Sequence, residues 1–180
     1  PLCAAFEKAG FQVLGFDVDP EKIRLLGAGQ NYLKHLGAQF VAEIHESGRF
    51  EATNDFSRLA EADAILVCVP TPLGEHREPD LSFVESSADY IADTLRPGQL
   101  VVLESTTYPG TTRMVVLPRL QATAREYGKD YALAYSPERE DPGRQNFTTQ
   151  TIPKLVGGLD EESGNLAEQL YRSAFTQVVR

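Results

Sequence analysis

The sequence is poor in cysteine and has no long apolar run, and each shortage excludes a class of protein. Two cysteines, Cys3 and Cys68, are too few for a disulfide framework, and no CxxC or Cys/His spacing favours a zinc site. No apolar run approaches the roughly 20 residues that span a bilayer, and the first residues lack the pattern of a signal peptide. We therefore expect no bound metal, no membrane association and a cytoplasmic location.

Basic residues are scarce as well. The chain has 17 Lys+Arg against 26 Asp+Glu, which gives a formal net charge of −9 over 180 residues. Without a block of basic residues, the chain lacks the electrostatic footprint of a nucleic-acid-binding protein, and we expect no such partner. The length and the 42% hydrophobic fraction suit one globular domain.

Apolar periodicity predicts an alternation of strands and helices. The predicted strands are residues 11–16, 50–53, 64–69, 100–103, 131–135, 155–156 and 177–179. The predicted helices are residues 20–27, 37–47, 81–95, 112–127 and 161–174, with a further helix around residues 2–9 and a brief one after Asp55. Asp19 is the predicted N-cap of the helix that begins at Pro20. The alternation predicts an α/β fold with a mostly parallel sheet and helices on both faces.

The strand at residues 64–69 is a continuous apolar run, which is typical of a parallel strand buried on both faces. Cys68 lies within this run and is predicted to be a core residue. The loops that follow strands are long, at residues 70–80, 104–111 and 136–153, whereas the turns that follow helices are short. Because ligands of open α/β sheets bind beyond the carboxyl ends of the strands, these long loops mark the expected binding edge.

Asp17 follows the first strand of the chain, where dinucleotide-binding folds place a carboxylate for the ribose hydroxyls of NAD. Such a carboxylate repels a 2′-phosphate and so favours NAD over NADP. The alternative is an ordinary turn aspartate or helix cap. The phosphate-binding GxGxxG motif is not in this chain; by this interpretation its place is immediately before Pro1.

The three long loops carry polar or rigid residues, and each has a structural alternative. Val69-Pro70-Thr71-Pro72 forms a rigid rim or merely ends a strand. The hydroxyls of residues 104–112 suit a polar ligand or an N-cap. A carboxylate in residues 135–144 can serve as a base or ligand anchor, while Arg139 and Arg144 suit phosphate oxygens, unless the loop is simply solvated.

Taken together, these segments resemble the UDP-glucose/GDP-mannose dehydrogenase family, and within it the UDP-N-acetylglucosamine 6-dehydrogenases. The resemblance rests on motifs in the right order over almost the whole chain: residues 16–19, 69–72, 77–80, 104–112, 136–143 and 151–154. It implies a Rossmann-type, doubly wound, mostly parallel sheet that lacks its first strand and glycine loop. It also implies NAD as cofactor and a UDP-sugar as substrate, whose C6 hydroxyl is oxidised to a carboxylate in a two-step, four-electron reaction.

The resemblance assigns roles residue by residue. Asp17 holds the adenosine ribose with Lys22 beside it, while Val69, Pro70 and Thr71 line the dinucleotide cleft. Ser105 and Thr106 lie near the nicotinamide, and Thr106 also positions the hydrolytic water. Glu138 assists the attack of water on a thioester and, with Arg139 and Glu140, contacts the substrate.

The resemblance also implies that residues 1–180 are an NAD-binding domain fragment, without the central and UDP-binding domains. We expect the intact protein to be a homo-oligomer through the central domain, and the fragment alone to be marginally stable and inactive. The strands at Val13 and Leu66 are expected to lie two strand spacings apart, roughly 9.6 Å, because the first strand of such a sheet runs between them.

Two departures from the family pattern stand out. Pro142 occupies a position where many relatives have a glutamate, and the nucleophilic cysteine of the family is expected beyond Arg180. Two other functions stay open: an NAD-dependent dehydrogenase of a small hydroxy acid, and a non-catalytic NAD-binding module.

Overall fold

Strands and helices alternate along the chain, as the periodicity predicts. The computed structural model describes residues 1–33, 36–37, 39–74, 78–138 and 153–180. The helices are α1 Leu2–Lys8, α2 Pro20–Gly27, α3 Phe40–Glu46, α4 Ser82–Thr94, α5 Leu117–Gln121 and α6 Glu161–Arg172. The strands are β1 Val13–Phe16, β2 Phe50–Thr53, β3 Ala64–Val67, β4 Gln99–Leu103, β5 Tyr131–Tyr135, β6 Lys154–Leu155, β7 Gly157–Gly158 and β8 Val178–Val179.

The strands form three separate sheets. The largest has the order β3-β4-β5-β7, in which β3, β4 and β5 are parallel and the two-residue β7 is antiparallel to β5. Strands β1 and β2 form a parallel pair, and β6 and β8 form another. Within the described residues no hydrogen-bonded ladder joins β1 to β3, which agrees with the expected separation of these strands, although the 9.6 Å spacing stays a prediction.

Helices cover both faces of the largest sheet, as predicted. Strand β4 is buried along its whole length, and its side chains alternate between two cores. Val101 and Leu103 pack with α4 and α5 on one face. Leu100 and Val102 pack with α1 and α6 on the other. The period of two in an extended strand thus explains why a continuous apolar run is needed at this position.

Short-range capping fixes several helix starts. The Asp19 carboxylate accepts a hydrogen bond of 2.9 Å from the Glu21 amide, which confirms the predicted cap ahead of Pro20. Asp55 likewise accepts from the Ser57 amide at 3.1 Å and begins a short 3₁₀-helix over Phe56–Glu61. These caps satisfy amide groups that have no partner inside their own helix.

The helix predicted over residues 112–127 is shorter than expected. A turn of π-helix at Thr112–Val116 leads into α5, which ends at Gln121. Just beyond, the Thr123 hydroxyl donates to the Leu120 carbonyl at 2.7 Å and accepts from the Arg125 amide at 3.1 Å. Such side-chain bonds compete with helical ones and account for the early end.

Cys68 is another correction. Strand β3 ends at Val67, so Cys68 lies beyond the strand rather than within it, and its side chain is exposed instead of buried in the core. The residue lines the cavity between β1 and β3 instead of packing into either core. None of the helices in the described ranges is both long enough and apolar enough to cross a bilayer.

Candidate functional site

A cavity of about 1680 Å³ lies between β1 and β3 and is lined by residues beyond both ends of these strands. This is the position at which we expect the first strand of the sheet. The cavity lining includes both strands and the following chemistry-bearing residues: Asp17, Lys22, Cys68, Val69, Pro70, Glu104, Glu138 and Lys154. Asp17 and Glu138 both line this cavity, whereas the predicted site residues Thr71, Ser105 and Thr106 are not among its lining residues.

Asp17 is held rigidly at the end of β1. One carboxylate oxygen accepts a hydrogen bond of 2.9 Å from the Asp19 amide, and the other forms an ion pair of 3.0 Å with the Lys22 Nζ. This hydrogen bond to Asp17 raises the pKa of Lys22, so the lysine is firmly charged. A carboxylate offers about four acceptor sites, so Asp17 retains capacity for further donors.

Hydrogen bonds join the loops that follow β3 and β4. The Ser105 hydroxyl accepts from the Val69 amide at 3.0 Å and donates to the Val69 carbonyl at 2.9 Å. The Thr71 hydroxyl donates to the Thr106 carbonyl at 2.5 Å. These bonds bring together four of the predicted cofactor residues. Thr106 is exposed, whereas Ser105 is only 2% exposed and its hydroxyl forms hydrogen bonds with backbone groups.

Glu138 is the last described residue of the segment that follows β5, and its side chain is exposed. Arg139 and Glu140, the two other predicted substrate contacts, lie outside the described residues, as do Pro142 and Arg144. Their roles stay predictions. The same holds for the individual roles of the residues that the structure does describe, although it places them at a common edge.

The match to known proteins identifies the chain. Residues 1–175 match the NAD-binding domain of the UDP-glucose/GDP-mannose dehydrogenase family. The chain belongs to this family. Its predicted Rossmann-type α/β fold is confirmed, and NAD is the cofactor of this domain.

Relatives within the family cover this chain almost completely. A UDP-N-acetyl-D-glucosamine 6-dehydrogenase of Pseudomonas aeruginosa is 32% identical over 98% of the chain and 41% of its own length. The solved UDP-D-ManNAc dehydrogenase of Pyrococcus horikoshii is similar with a TM-score of 0.91 and 30% identity, over 99% of this chain and 43% of that one. The solved NDP-N-acetyl-D-galactosaminuronic acid dehydrogenase of Methanosarcina mazei Go1 has a TM-score of 0.87 and 35% identity, over 98% and 40%. The chain thus spans about two fifths of the length of these dehydrogenases.

The described residues of this NAD-binding domain fit their cofactor. Asp17 supplies an oriented carboxylate at the end of a parallel strand, which is the place where the fold binds a ribose. Val69 and Pro70 supply an apolar wall of the same cavity. Their location follows from topology, because the carboxyl ends of parallel strands meet at one edge.

Sequence reasoning missed one feature of the dehydrogenase domain. Glu104, Lys154 and Tyr171 form a buried polar cluster directly behind the rim, in which both Lys154 and Tyr171 donate hydrogen bonds to the Glu104 carboxylate. We refer to these three residues as the Glu104 cluster. The available signal was a glutamate placed directly after the apolar run of β4.

Proposed function

We propose that this chain forms the NAD-binding part of an enzyme that oxidises the C6 hydroxyl of a UDP-sugar to a carboxylate. Bound NAD supplies the hydride acceptor in this chemistry. The observation that carries the proposal is the Asp17 carboxylate, held at the carboxyl end of β1 by the Asp19 amide and Lys22, in a chain that belongs to a nucleotide-sugar dehydrogenase family. The remaining domains of this family and a homo-oligomeric assembly through the central domain are part of the proposal.

The NAD side of the site consists of residues after β1, β3 and β4. Asp17 accepts hydrogen bonds from the adenosine ribose hydroxyls, and its charge disfavours a 2′-phosphate. Lys22 holds that carboxylate in place through their 3.0 Å ion pair. The hydrogen-bonded loops of Val69, Thr71 and Ser105 keep the cleft wall in a fixed position, with Pro70 beside them.

The reaction side of the site consists of Thr106 and Glu138. The Thr106 side chain is exposed and its carbonyl is anchored by Thr71, so the hydroxyl is available to orient a water molecule. Glu138 accepts a proton from that water in the hydrolytic stage, which requires an ionised carboxylate close to the reacting atoms. Arg139 and Glu140 complete the contacts to the sugar nucleotide in this proposal.

UDP-N-acetylglucosamine is the proposed substrate. The support is the 32% identity with a UDP-N-acetyl-D-glucosamine 6-dehydrogenase. A relative of equal identity is a UDP-N-acetyl-D-mannosamine dehydrogenase, so the test compares both sugars together with UDP-glucose.

The test is turnover by the intact protein with NAD and each UDP-sugar in turn, followed by NADH absorbance and by analysis of the product. We expect a uronic acid and two NADH per product, with little turnover when NADP replaces NAD. Glu138→Gln should reduce turnover by roughly 10²–10⁴-fold, the usual contribution of a general base. The matched control is Glu126→Gln, which changes an exposed glutamate outside the cavity lining.

Two results would contradict the proposal. Oxidation of small hydroxy acids with no activity on UDP-sugars would identify a different dehydrogenase. Binding of NAD without turnover of any of these substrates would indicate a non-catalytic NAD-binding module. We also propose that the 180-residue chain by itself is inactive, which the same assay measures directly.

A further inference from the structure

The Glu104 cluster is almost completely withdrawn from solvent. Glu104 is 2% exposed, Lys154 is 6% exposed and Tyr171 is fully buried. Besides its ion pair with Glu104, the Lys154 Nζ lies 5.4 Å from the ring centroid of Tyr171 and 5.8 Å from that of Phe175. The lysine is therefore held by one carboxylate and two aromatic rings.

Stability alone is a poor explanation for this pair. Removing two charges from water is costly, and well-packed apolar residues often replace a buried ion pair without loss of stability. The position of the pair is more informative. Glu104 directly precedes Ser105 and Thr106, and Lys154 begins β6, so the ion pair ties the rim of the cavity to β6 and, through Tyr171, to α6.

The pair also influences the electrostatics of the cavity. The groups that act on Glu104 are Lys154 of β6, Tyr171 of α6 and Glu138 after β5. The charge of Glu104 in turn helps to raise the pKa of Cys68 after β3 and of Cys3 in α1. Burial raises the pKa of Glu104, and the charge of Glu138 acts in the same direction, whereas Lys154 and Tyr171 lower it. Glu104 and Glu138 line the same cavity and affect each other through their charges.

We propose that Glu104 and Lys154 are positioning residues of the dehydrogenase site. Their hydrogen bond holds the Ser105–Thr106 segment against β6 and α6, and their opposite charges cancel beside Glu138. Loss of Glu104 alone leaves an uncompensated cation near Glu138, whereas loss of both charges restores neutrality. The catalytic consequence rests on the function proposed above, but the charge coupling itself does not.

The first experiment measures that coupling without any reaction. Glutamate labelled with ¹³C at the carboxyl carbon is incorporated into the intact protein, and the Glu138 resonance is identified by its absence in Glu138→Gln. In Glu104→Gln the titration midpoint of Glu138 should fall, because the positive charge of Lys154 at the cavity that Glu138 also lines is then uncompensated. In Glu104→Gln/Lys154→Met it should return close to its original value.

Return of the midpoint in the double variant separates charge from structure. If the two residues act only by holding the structure, the midpoint of Glu138 should shift in the double variant at least as far as in the single variant, because the double variant alters more of the cluster. Glu126→Gln and Lys129→Met remove an exposed pair of 3.2 Å and serve as the control, with no shift expected. An unchanged midpoint in Glu104→Gln, or an equal shift in both cluster variants, overturns the proposal.

Folding provides a further criterion. If Glu104→Gln fails to fold while the double variant folds, the compensation of charges is supported. If neither variant folds, the cluster is needed for stability alone and the positioning proposal is wrong.

The second experiment measures the pH dependence of kcat with NAD and UDP-N-acetylglucosamine. In Glu104→Gln the acidic limb should move to lower pH, and the double variant should restore it. If Glu104→Gln is active but its pH profile of kcat does not move, the proposed function stands and the positioning role is refuted. A protein without turnover refutes the proposed function, and the carboxyl titration then decides the charge coupling by itself.

Discussion

Replacement of Lys154 by methionine isolates the cost of an unpaired carboxylate in the Glu104 cluster. Methionine keeps most of the apolar stem that packs against Tyr171 and Phe175, so the main change is the loss of the charged partner of Glu104. Glu104 stays buried and keeps the hydrogen bond from Tyr171.

The expected cost is about 3–5 kcal/mol at neutral pH, the range measured when one member of a buried ion pair is removed. That is a large part of the roughly 5–15 kcal/mol by which domains are usually stable. For a domain of this size it lowers Tm by roughly 6–20 °C. Lys129→Met, which breaks an exposed pair with Glu126, should leave Tm unchanged within error.

The effect depends on pH in a defined direction. Burial already raises the pKa of Glu104 above the usual value of a glutamate, so between the unfolded and the folded pKa the folded protein retains a proton that the unfolded chain has released. Stability therefore falls as pH rises above about 4.5. Without Lys154 that pKa is higher still, so the difference in Tm between the variant and the original protein should widen from pH 5 to pH 8. Thermal unfolding followed by circular dichroism measures it. A difference that is small, or constant over this range, would refute the assignment of Lys154 as the counter-ion of a buried carboxylate.

Three further changes test other parts of the structure. Asp17→Asn should weaken NAD binding about tenfold or more in calorimetry, because a charged acceptor is lost, whereas Asp89→Asn, at a side chain 64% exposed and outside the cavity lining, should not. Ser105→Ala should lower the free energy of unfolding in urea by about 1 kcal/mol, because it leaves the part-buried Val69 amide without its acceptor. An unchanged value would contradict the hydrogen-bonded link between the two loops. Gly158→Ala should lower the free energy of unfolding by about 1–3 kcal/mol or more, because a Cβ there lies 2.1 Å from the Gly164 amide nitrogen. An unchanged free energy of unfolding would show that this contact is looser than described.

The local parts of the fold were predictable because they depend on neighbours in sequence. The N-cap at Asp19 depends only on the next few residues, and the buried strands β3 and β4 are recognisable in the sequence as apolar runs. The early end of α5 was missed because a single threonine side chain competes for the last helical carbonyls. Periodicity does not report such competition.

The candidate site was predictable in outline for a topological reason. Asp17, Val69 and Glu138 each follow a parallel strand, and parallel strands end at one edge. The Glu104 cluster was not predictable, because Lys154 and Tyr171 are 50 and 67 residues away from Glu104. Cys68 was misplaced for a related reason, since its environment depends on what lies across the cavity and not on its own apolar segment.

Aromatic rings link the β1–β2 pair to helix α4, with Phe16 5.8 Å from Phe56 and Phe56 stacked on Tyr90 at 4.4 Å. A dinucleotide that reaches from Asp17 toward Glu138 contacts residues after β1 and after β5 at the same time. Because such a ligand binds only the folded arrangement of these strands, its binding should stabilise the packing of the β1–β2 pair against the largest sheet.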